Sequence, residues 1–181
     1  MQTIETVAVL GATERGAACA VLAALAGCAV RVHDASDLLT EASAEVRRIA
    51  ELASAQGAVT RTEVQRILDG VLFTSDLDEA LSGADLVVDA GTAEPPVDRL
   101  ASELRATTAV AAAGATPSAE LAARLPQPGR VLALRFVSSV GPVPRIEVEP
   151  APETSPHVVE RARAFTARVH RAARLPLAAP A

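Results

Sequence analysis

Apolar and polar positions follow one another along the chain in blocks that predict strands and helices in turn. Short apolar runs bounded by glycine or polar residues predict strands at residues 6–10, 29–34, 71–74, 84–90, 107–112, 131–136 and 145–149. Stretches with helical periodicity predict helices at residues 15–26, 36–56, 60–68, 77–81, 117–125 and 155–173. This alternation is typical of a parallel sheet covered by helices. The sequence therefore predicts a doubly wound, mostly parallel sheet in three α/β/α layers.

Turn and capping residues support several of these boundaries. Gly27 follows the first helix and suits a left-handed cap. Ser36 is expected to cap the second helix, and Thr60 with Glu63 forms a capping-box pattern. Pro156 suits the first turn of the last helix. An additional edge strand is expected at residues 175–177.

The first strand runs into a glycine turn that resembles a dinucleotide-binding fingerprint. In the G-x-G-x-x-G pattern, the glycines allow a tight turn, close approach of the pyrophosphate and close packing of helix on strand. Here Gly11 and Gly16 fill the outer positions, but Thr13 replaces the middle glycine. Asp34 ends the second strand, where an acidic residue can hold a ribose hydroxyl. The pattern predicts a Rossmann-like domain of the NAD-binding type. Two alternatives remain: the chain has inherited the fold without binding a dinucleotide, or Asp34 serves only in a turn or as a helix cap.

Composition limits the classes of partner. At 181 residues with 50% hydrophobic residues, the chain is long enough for one well-filled domain over residues 1–181. The net charge of −5, with three Phe and no Trp or Tyr, argues against nucleic-acid binding. No apolar run reaches the length of a membrane span, and no charged leader precedes the first strand. We therefore expect no nucleic-acid partner, no membrane insertion and a cytoplasmic location.

Cysteine, histidine and lysine offer little further chemistry. Cys19 and Cys28 have a spacing that favours simple packing over a metal or disulfide pair. The histidines likewise lack metal-ligand spacing, so no metal site is expected. All 17 basic residues are arginines, which excludes lysine-based catalysis within this chain.

Beyond the fingerprint, the chain resembles the amino-terminal NAD-binding domain of the 3-hydroxyacyl-CoA dehydrogenases. The resemblance covers nearly the whole sequence and rests on these features: the Gly11/Gly16 spacing, Asp34, the two helices before Val71, the apolar strand at residues 84–90, and the helix starts at Pro117 and Thr154. It implies an oxidoreductase-type fold, NAD as cofactor and an acyl thioester as substrate. In that family an all-helical domain follows, and the chain is expected to lack it.

The resemblance also implies where the catalytic groups would lie. The family's catalytic histidine corresponds to Arg135, and the carboxylate that orients it corresponds to Glu147. The next asparagine corresponds to Ser138, and a substrate-binding serine corresponds to Gly114. A guanidinium stays charged near neutral pH and only donates, so it does not replace an imidazole base. The substitution predicts that the acid/base dyad has become an Arg135–Glu147 salt bridge.

Three functions are consistent with these residues. The first is an NAD-dependent 3-hydroxyacyl-CoA dehydrogenase subunit that is completed by another polypeptide or a second copy. The second is an inactive homologue that binds an acyl thioester, a nucleotide or a partner protein. The third is a non-redox enzyme that uses Arg135 and Glu147 on a polar acyl substrate. We also expect a homodimer or hetero-complex, formed through residues 137–144 and the end of the helix that starts at Thr154, which the absent helical domain would leave uncovered.

Overall fold

The computed structural model describes residues 3–91, 95–137 and 144–174. The strands in these residues are β1 (Thr6–Leu10), β2 (Ala29–His33), β3 (Val71–Thr74), β4 (Leu86–Asp89), β5 (Ala109–Ala112), β6 (Val131–Val137) and β7 (Arg145–Pro150). The helices are α1 (Glu14–Leu25), α2 (Ser36–Ala55), α3 (Arg61–Gly70), α4 (Leu77–Leu81), α5 (Val97–Glu103), α6 (Ser118–Arg124) and α7 (Pro156–Ala172). The strand expected at residues 175–177 lies outside the described residues.

All these strands form one sheet in the order β3-β2-β1-β4-β5-β6-β7. Neighbours are parallel from β3 to β6, and β7 pairs with β6 in the antiparallel sense. The strand order reverses between β1 and β4, which is the switch point where doubly wound sheets bind ligands. The predicted doubly wound, mostly parallel sheet is confirmed.

The two faces of the sheet carry separate apolar cores. Alternate residues of β1 point to opposite faces, so that Val7 and Val9 join one core while Ala8 and Leu10 join the other. The larger core packs α1, α2, α3 and α7 against the sheet, and the smaller one packs α4, α5 and α6. This arrangement gives the three α/β/α layers.

Local signals in the sequence predicted some of the helix ends correctly and missed others. Thr60 and Glu63 form the expected capping box at the start of α3. Ser36 is already the first residue of α2; the N-cap is Ala35, and no side chain caps it. The prediction for Ser36 was therefore wrong. Helix α5 was not predicted; the two prolines directly before it, Pro95 and Pro96, are typical of a loop.

Candidate functional site

The glycine turn after β1 lies at the switch point and brings strand and helix into close contact. Gly11 has a φ of 111°, a conformation that side chains other than glycine rarely adopt. A Cβ atom at Gly16 would lie 2.0 Å from the carbonyl oxygen of Gly11, so only glycine fits there. The Gly11 N–H donates to the carbonyl of His33 at 2.9 Å, which ties the turn to the end of β2. Both glycines therefore meet a structural requirement of the fingerprint.

Thr13, at the middle position of the fingerprint, turns its hydroxyl into the protein. The residue is the N-cap of α1, and its Oγ1 accepts the Gly16 N–H at 3.1 Å. The same hydroxyl donates to the carbonyl of Ala90 at 2.9 Å, just beyond β4. Thr13 therefore joins the first turn of α1 to the end of β4, where a glycine would leave both groups without this partner.

Asp34 lies against the same turn. Its Oδ2 accepts the Ala12 N–H at 2.7 Å and its Oδ1 accepts the Ala35 N–H at 2.8 Å. Each carboxylate oxygen has two lone pairs, so both retain capacity for a ligand hydroxyl. The side chain does not cap α2. The sequence placed Asp34 at a strand end, and the structure places its carboxylate directly over the glycine turn.

Three clefts open at the carboxyl edge of the sheet. The first, the α1–α2 cleft, has a volume of about 500 Å³ and lies beside Ala12 and Thr13, with Glu14, Glu41, Glu45 and Arg48 also lining it. The second, the switch-point cleft, has a similar volume and is lined by Thr13, Glu14, Arg15, Ala18, Ala90, Gly91, Gly114, Ala115 and Phe136. The third, the β5–β6 cleft, measures about 410 Å³ and includes Arg15, Gly114, Thr116, Ser118, Arg135 and Glu149. Thr13, Glu14 and Arg15 stand where these clefts adjoin.

Gly114 brings the ends of β5 and β4 together. A Cβ atom at this position would lie 2.7 Å from both the Cα and the N of Gly91. The neighbouring carbonyl of Ala113 accepts a hydrogen bond from the Arg15 guanidinium at 2.6 Å. The backbone spacing excludes a serine side chain here, and the cleft wall at this point is bare backbone.

Arg135 and Glu147 stand opposite each other, but they do not form the predicted ion pair. They are directly paired across β6 and β7, so their side chains share one face of the sheet. The Arg135 guanidinium instead lies 3.4 Å from Glu149, and Glu147 lies 3.9 Å from Arg145. The predicted salt bridge was wrong because sheet twist favours the diagonal neighbour for a long side chain. The Arg135 and Glu149 side chains are 64% and 57% exposed, so this pair is well solvated.

One predicted site residue, Ser138, cannot be placed, and the sequence analysis missed two residues that line the clefts, Glu14 and Arg15. Ser138 lies outside the described residues, as do residues 138–143 of the expected contact surface. Glu14 and Arg15 were not singled out, although both line the clefts beside the turn. Their charges occur inside the fingerprint itself, and that signal could have identified them.

Other reactive side chains lie away from these clefts. Cys19 is fully buried, which raises the pKa of its thiol to about 12, and burial also raises the pKa of Cys28. His170 accepts the Ile146 N–H on the buried side of β7, and His33 contacts the carbonyl of Thr74. In the described part of the chain, no group of three potential ligands is placed to hold a metal ion. The helices described there are also too short or too polar to cross a bilayer.

The carboxyl edge matches one half of a dinucleotide well. The glycine turn leaves no side chain at Gly11 or Gly16, and the Asp34 carboxylate stands beside it to take ribose hydroxyls. The α1–α2 cleft is lined by Ala12, whose N–H binds that carboxylate, and has room for a nucleoside. The switch-point cleft then leads from Thr13 towards Gly114 and Phe136, which is the direction that a second nucleotide would take. The residues therefore fit a dinucleotide.

Comparisons with known proteins agree with this geometry. The family described as "3-hydroxyacyl-CoA dehydrogenase, NAD binding domain" matches residues 6–174. A 3-hydroxybutyryl-CoA dehydrogenase of Mycobacterium tuberculosis is 30% identical over 175 residues, covering 92% of this chain and 60% of that protein. The chain thus spans about 60% of the length of this relative.

Solved structures give the same result for the fold. The crystal structure of 3-hydroxybutyryl-CoA dehydrogenase from Escherichia coli K12 superposes with a TM-score of 0.82 at 27% identity, covering 93% of this chain and 37% of that one. The structure of FadB2 from M. tuberculosis gives a TM-score of 0.81 at 28% identity, covering 97% of this chain and 63% of that one.

Proposed function

The chain belongs to the 3-hydroxyacyl-CoA dehydrogenase NAD-binding domain family, and from this premise we propose that it binds NAD without supplying the base for hydride transfer. NAD is the cofactor of this family of domains. The observation that supports the absence of a base is that Arg135 lies opposite Glu147, at the position where the family resemblance implies a histidine. The chain keeps Gly11, Gly16 and Asp34 of the cofactor site but has an arginine in place of the catalytic histidine, and this combination favours cofactor binding without hydride transfer.

Several residues of this chain would hold the cofactor. The Asp34 carboxylate would accept hydrogen bonds from the adenosine ribose, and the backbone of the turn between Gly11 and Gly16 would face the pyrophosphate. Thr13 holds that turn against Ala90 through its hydroxyl. When bound, NAD supplies hydride transfer at its nicotinamide ring.

The side chains around the β5–β6 cleft do not supply a general base of the usual kind. Of the described residues lining it, none is a histidine, and the guanidinium of Arg135 can only donate hydrogen bonds. Glu149 is the one carboxylate among these lining residues, and it lies 3.4 Å from the Arg135 guanidinium. A hydroxyl substrate entering this cleft would therefore meet a donor where its proton has to be taken away.

A titration together with a turnover assay tests both halves of the proposal. With no Trp or Tyr in the sequence, emission from NADH can be followed with little protein background. We expect saturable NADH binding by the wild type and no NADH oxidation with acetoacetyl-CoA above the protein-free rate. Asp34→Ala should weaken binding roughly tenfold or more, because a hydrogen bond to a charged group contributes about 1.5–3 kcal/mol.

Restoring an imidazole provides the sharper comparison. Arg135→His would place the ring directly across from Glu147, and Arg135→Gln removes the charge without adding a base. General-base catalysis is worth about 10²–10⁴-fold, so any turnover gained should be specific to the histidine variant. Turnover by the wild type that disappears in Glu147→Gln would contradict the proposal.

A second candidate function is binding of an acyl ligand that carries a carboxylate. The observation in its favour is that two guanidiniums, Arg15 and Arg135, line the same β5–β6 cleft. It predicts that succinate binds the wild type and that Arg135→Ala abolishes the binding, while Arg145→Ala on the same sheet face does not. Loss of binding in both variants, or in neither, would reject this candidate.

A further inference from the structure

The first turn of α1 carries its own anionic and capping groups at the place where a pyrophosphate would lie. In dinucleotide-binding folds the free N–H groups and the positive end of the helix dipole attract phosphate. Here the Thr13 hydroxyl already accepts the Gly16 N–H at 3.1 Å. Glu14 follows as the acidic residue of the first turn and is exposed. The N-terminus of α1 should therefore attract an anion less strongly, because Thr13 already binds one of its N–H groups and Glu14 adds a negative charge beside it.

The charges around the α1–α2 cleft act in the same direction. Three glutamates, Glu14, Glu41 and Glu45, line this cleft with a single arginine, Arg48. Arg48 makes two hydrogen bonds to Glu45, at 2.7 and 2.6 Å, and lowers the pKa of that carboxyl. In the described part of the chain, neither Glu14 nor Glu41 takes part in an ion pair. The residues that line the cleft therefore carry more negative than positive charge.

Of the three cleft glutamates, Glu14 is the one that belongs to the glycine turn and the first turn of α1. It lines both the α1–α2 cleft and the switch-point cleft, whereas Glu41 lines only the first. Arg15, the next residue, points to the other side, where its guanidinium donates to the Ala113 carbonyl at 2.6 Å. A phosphate at the helix start would therefore meet the carboxylate of Glu14, while the neighbouring cation is held towards β5.

We infer that Glu14 is a specificity-determining residue that weakens binding of phosphate-bearing nucleotides in proportion to their charge. The inference rests on the proposed NAD-binding function and concerns how tightly, and with which ligands, that site is filled. Adenosine should be unaffected by Glu14, because it has no phosphate. AMP, ADP-ribose and NADH should be disfavoured, because each brings phosphate charge to the first turn of α1.

The experiment measures binding of adenosine, ADP-ribose and NADH to wild type, Glu14→Gln and the control Glu120→Gln by calorimetry at low and high salt. Glu120 is a first-turn glutamate of α6 that lies outside both clefts beside the glycine turn. For partly solvated charges several ångströms apart, Glu14→Gln should tighten NADH and ADP-ribose about three- to tenfold at 20 mM salt. The gain should fall below about twofold at 500 mM salt, since salt screens the repulsion. Adenosine affinity and the Glu120→Gln protein should not change.

The outcomes separate this inference from the proposed function. NADH binding that is equal or weaker in Glu14→Gln overturns the role of Glu14 and leaves NAD binding in place. Binding by Glu14→Gln alone supports the role of Glu14 and rejects NAD as a ligand of the wild type. A gain for adenosine equal to that for NADH, or a gain that salt does not reduce, also overturns the inference. If neither protein binds NADH while thermal melting shows both folded, the inference and the proposed function both fail.

Discussion

Replacing Gly114 with alanine tests how closely β4 and β5 approach at the edge of the site. The new Cβ would lie 2.7 Å from the Cα and N of Gly91, whereas ordinary van der Waals contact begins at 3.4 Å. The backbone would have to yield by the difference of 0.7 Å, because neither contacting atom belongs to a side chain that can rotate away. Overpacking of this kind costs about 1–3 kcal/mol. For a chain of this length, that corresponds to a fall in Tm of about 2–12 °C.

Urea unfolding followed by far-UV circular dichroism is the suitable assay, since the sequence has no Trp or Tyr. Gly70→Ala is the matched control, because a Cβ there meets only ordinary contacts at 3.8 Å. Gly70 ends α3, and alanine at that position should leave the free energy of unfolding unchanged or raise it by up to about 1 kcal/mol. A Gly114→Ala protein within about 0.5 kcal/mol of the wild type would refute the close approach. It would also reopen the position to the serine that the family resemblance implies.

Two further predictions concern buried groups. Burial and the nearby Arg145 guanidinium lower the pKa of His170 below its usual value of 6.5, so the unfolded chain binds a proton more readily than the native one. Stability should therefore fall as the pH drops below about 6.5. Urea midpoints measured from pH 8 to 5 should show this fall in the wild type, and His170→Gln should remove the part that comes from His170. An unchanged pH dependence in the variant would contradict the assignment. The pKa of the Cys19 thiol is raised to about 12, and Cys28 is also buried. The native protein at pH 8 should therefore react slowly with a thiol reagent such as DTNB, while both thiols should react in denaturant. Rapid labelling of the native protein would contradict their burial.

The glycine turn illustrates how far the sequence reaches into the site. The spacing of Gly11, Gly16 and Asp34 predicted a glycine turn of the dinucleotide-binding type, and the structure places these residues together at the switch point. The conformation of Thr13 could not be predicted, because its hydroxyl partner is the carbonyl of Ala90, 77 residues away in the chain. That contact depends on which strand lies next to β1, and the order of the sheet decides it.

The pattern of apolar positions by itself determined the strands, most helices and the layered parallel fold, because backbone hydrogen bonding and burial act at every position with a fixed period. It also placed Arg135 and Glu147 in two predicted strands, and the structure shows that these strands are neighbours. Only the tertiary structure decided that Arg135 turns to Glu149, that Gly114 touches Gly91, and that Glu14 faces two clefts. Those outcomes depend on sheet twist, on the register of distant strands and on the reach of long side chains, which are fixed only when remote segments are packed together.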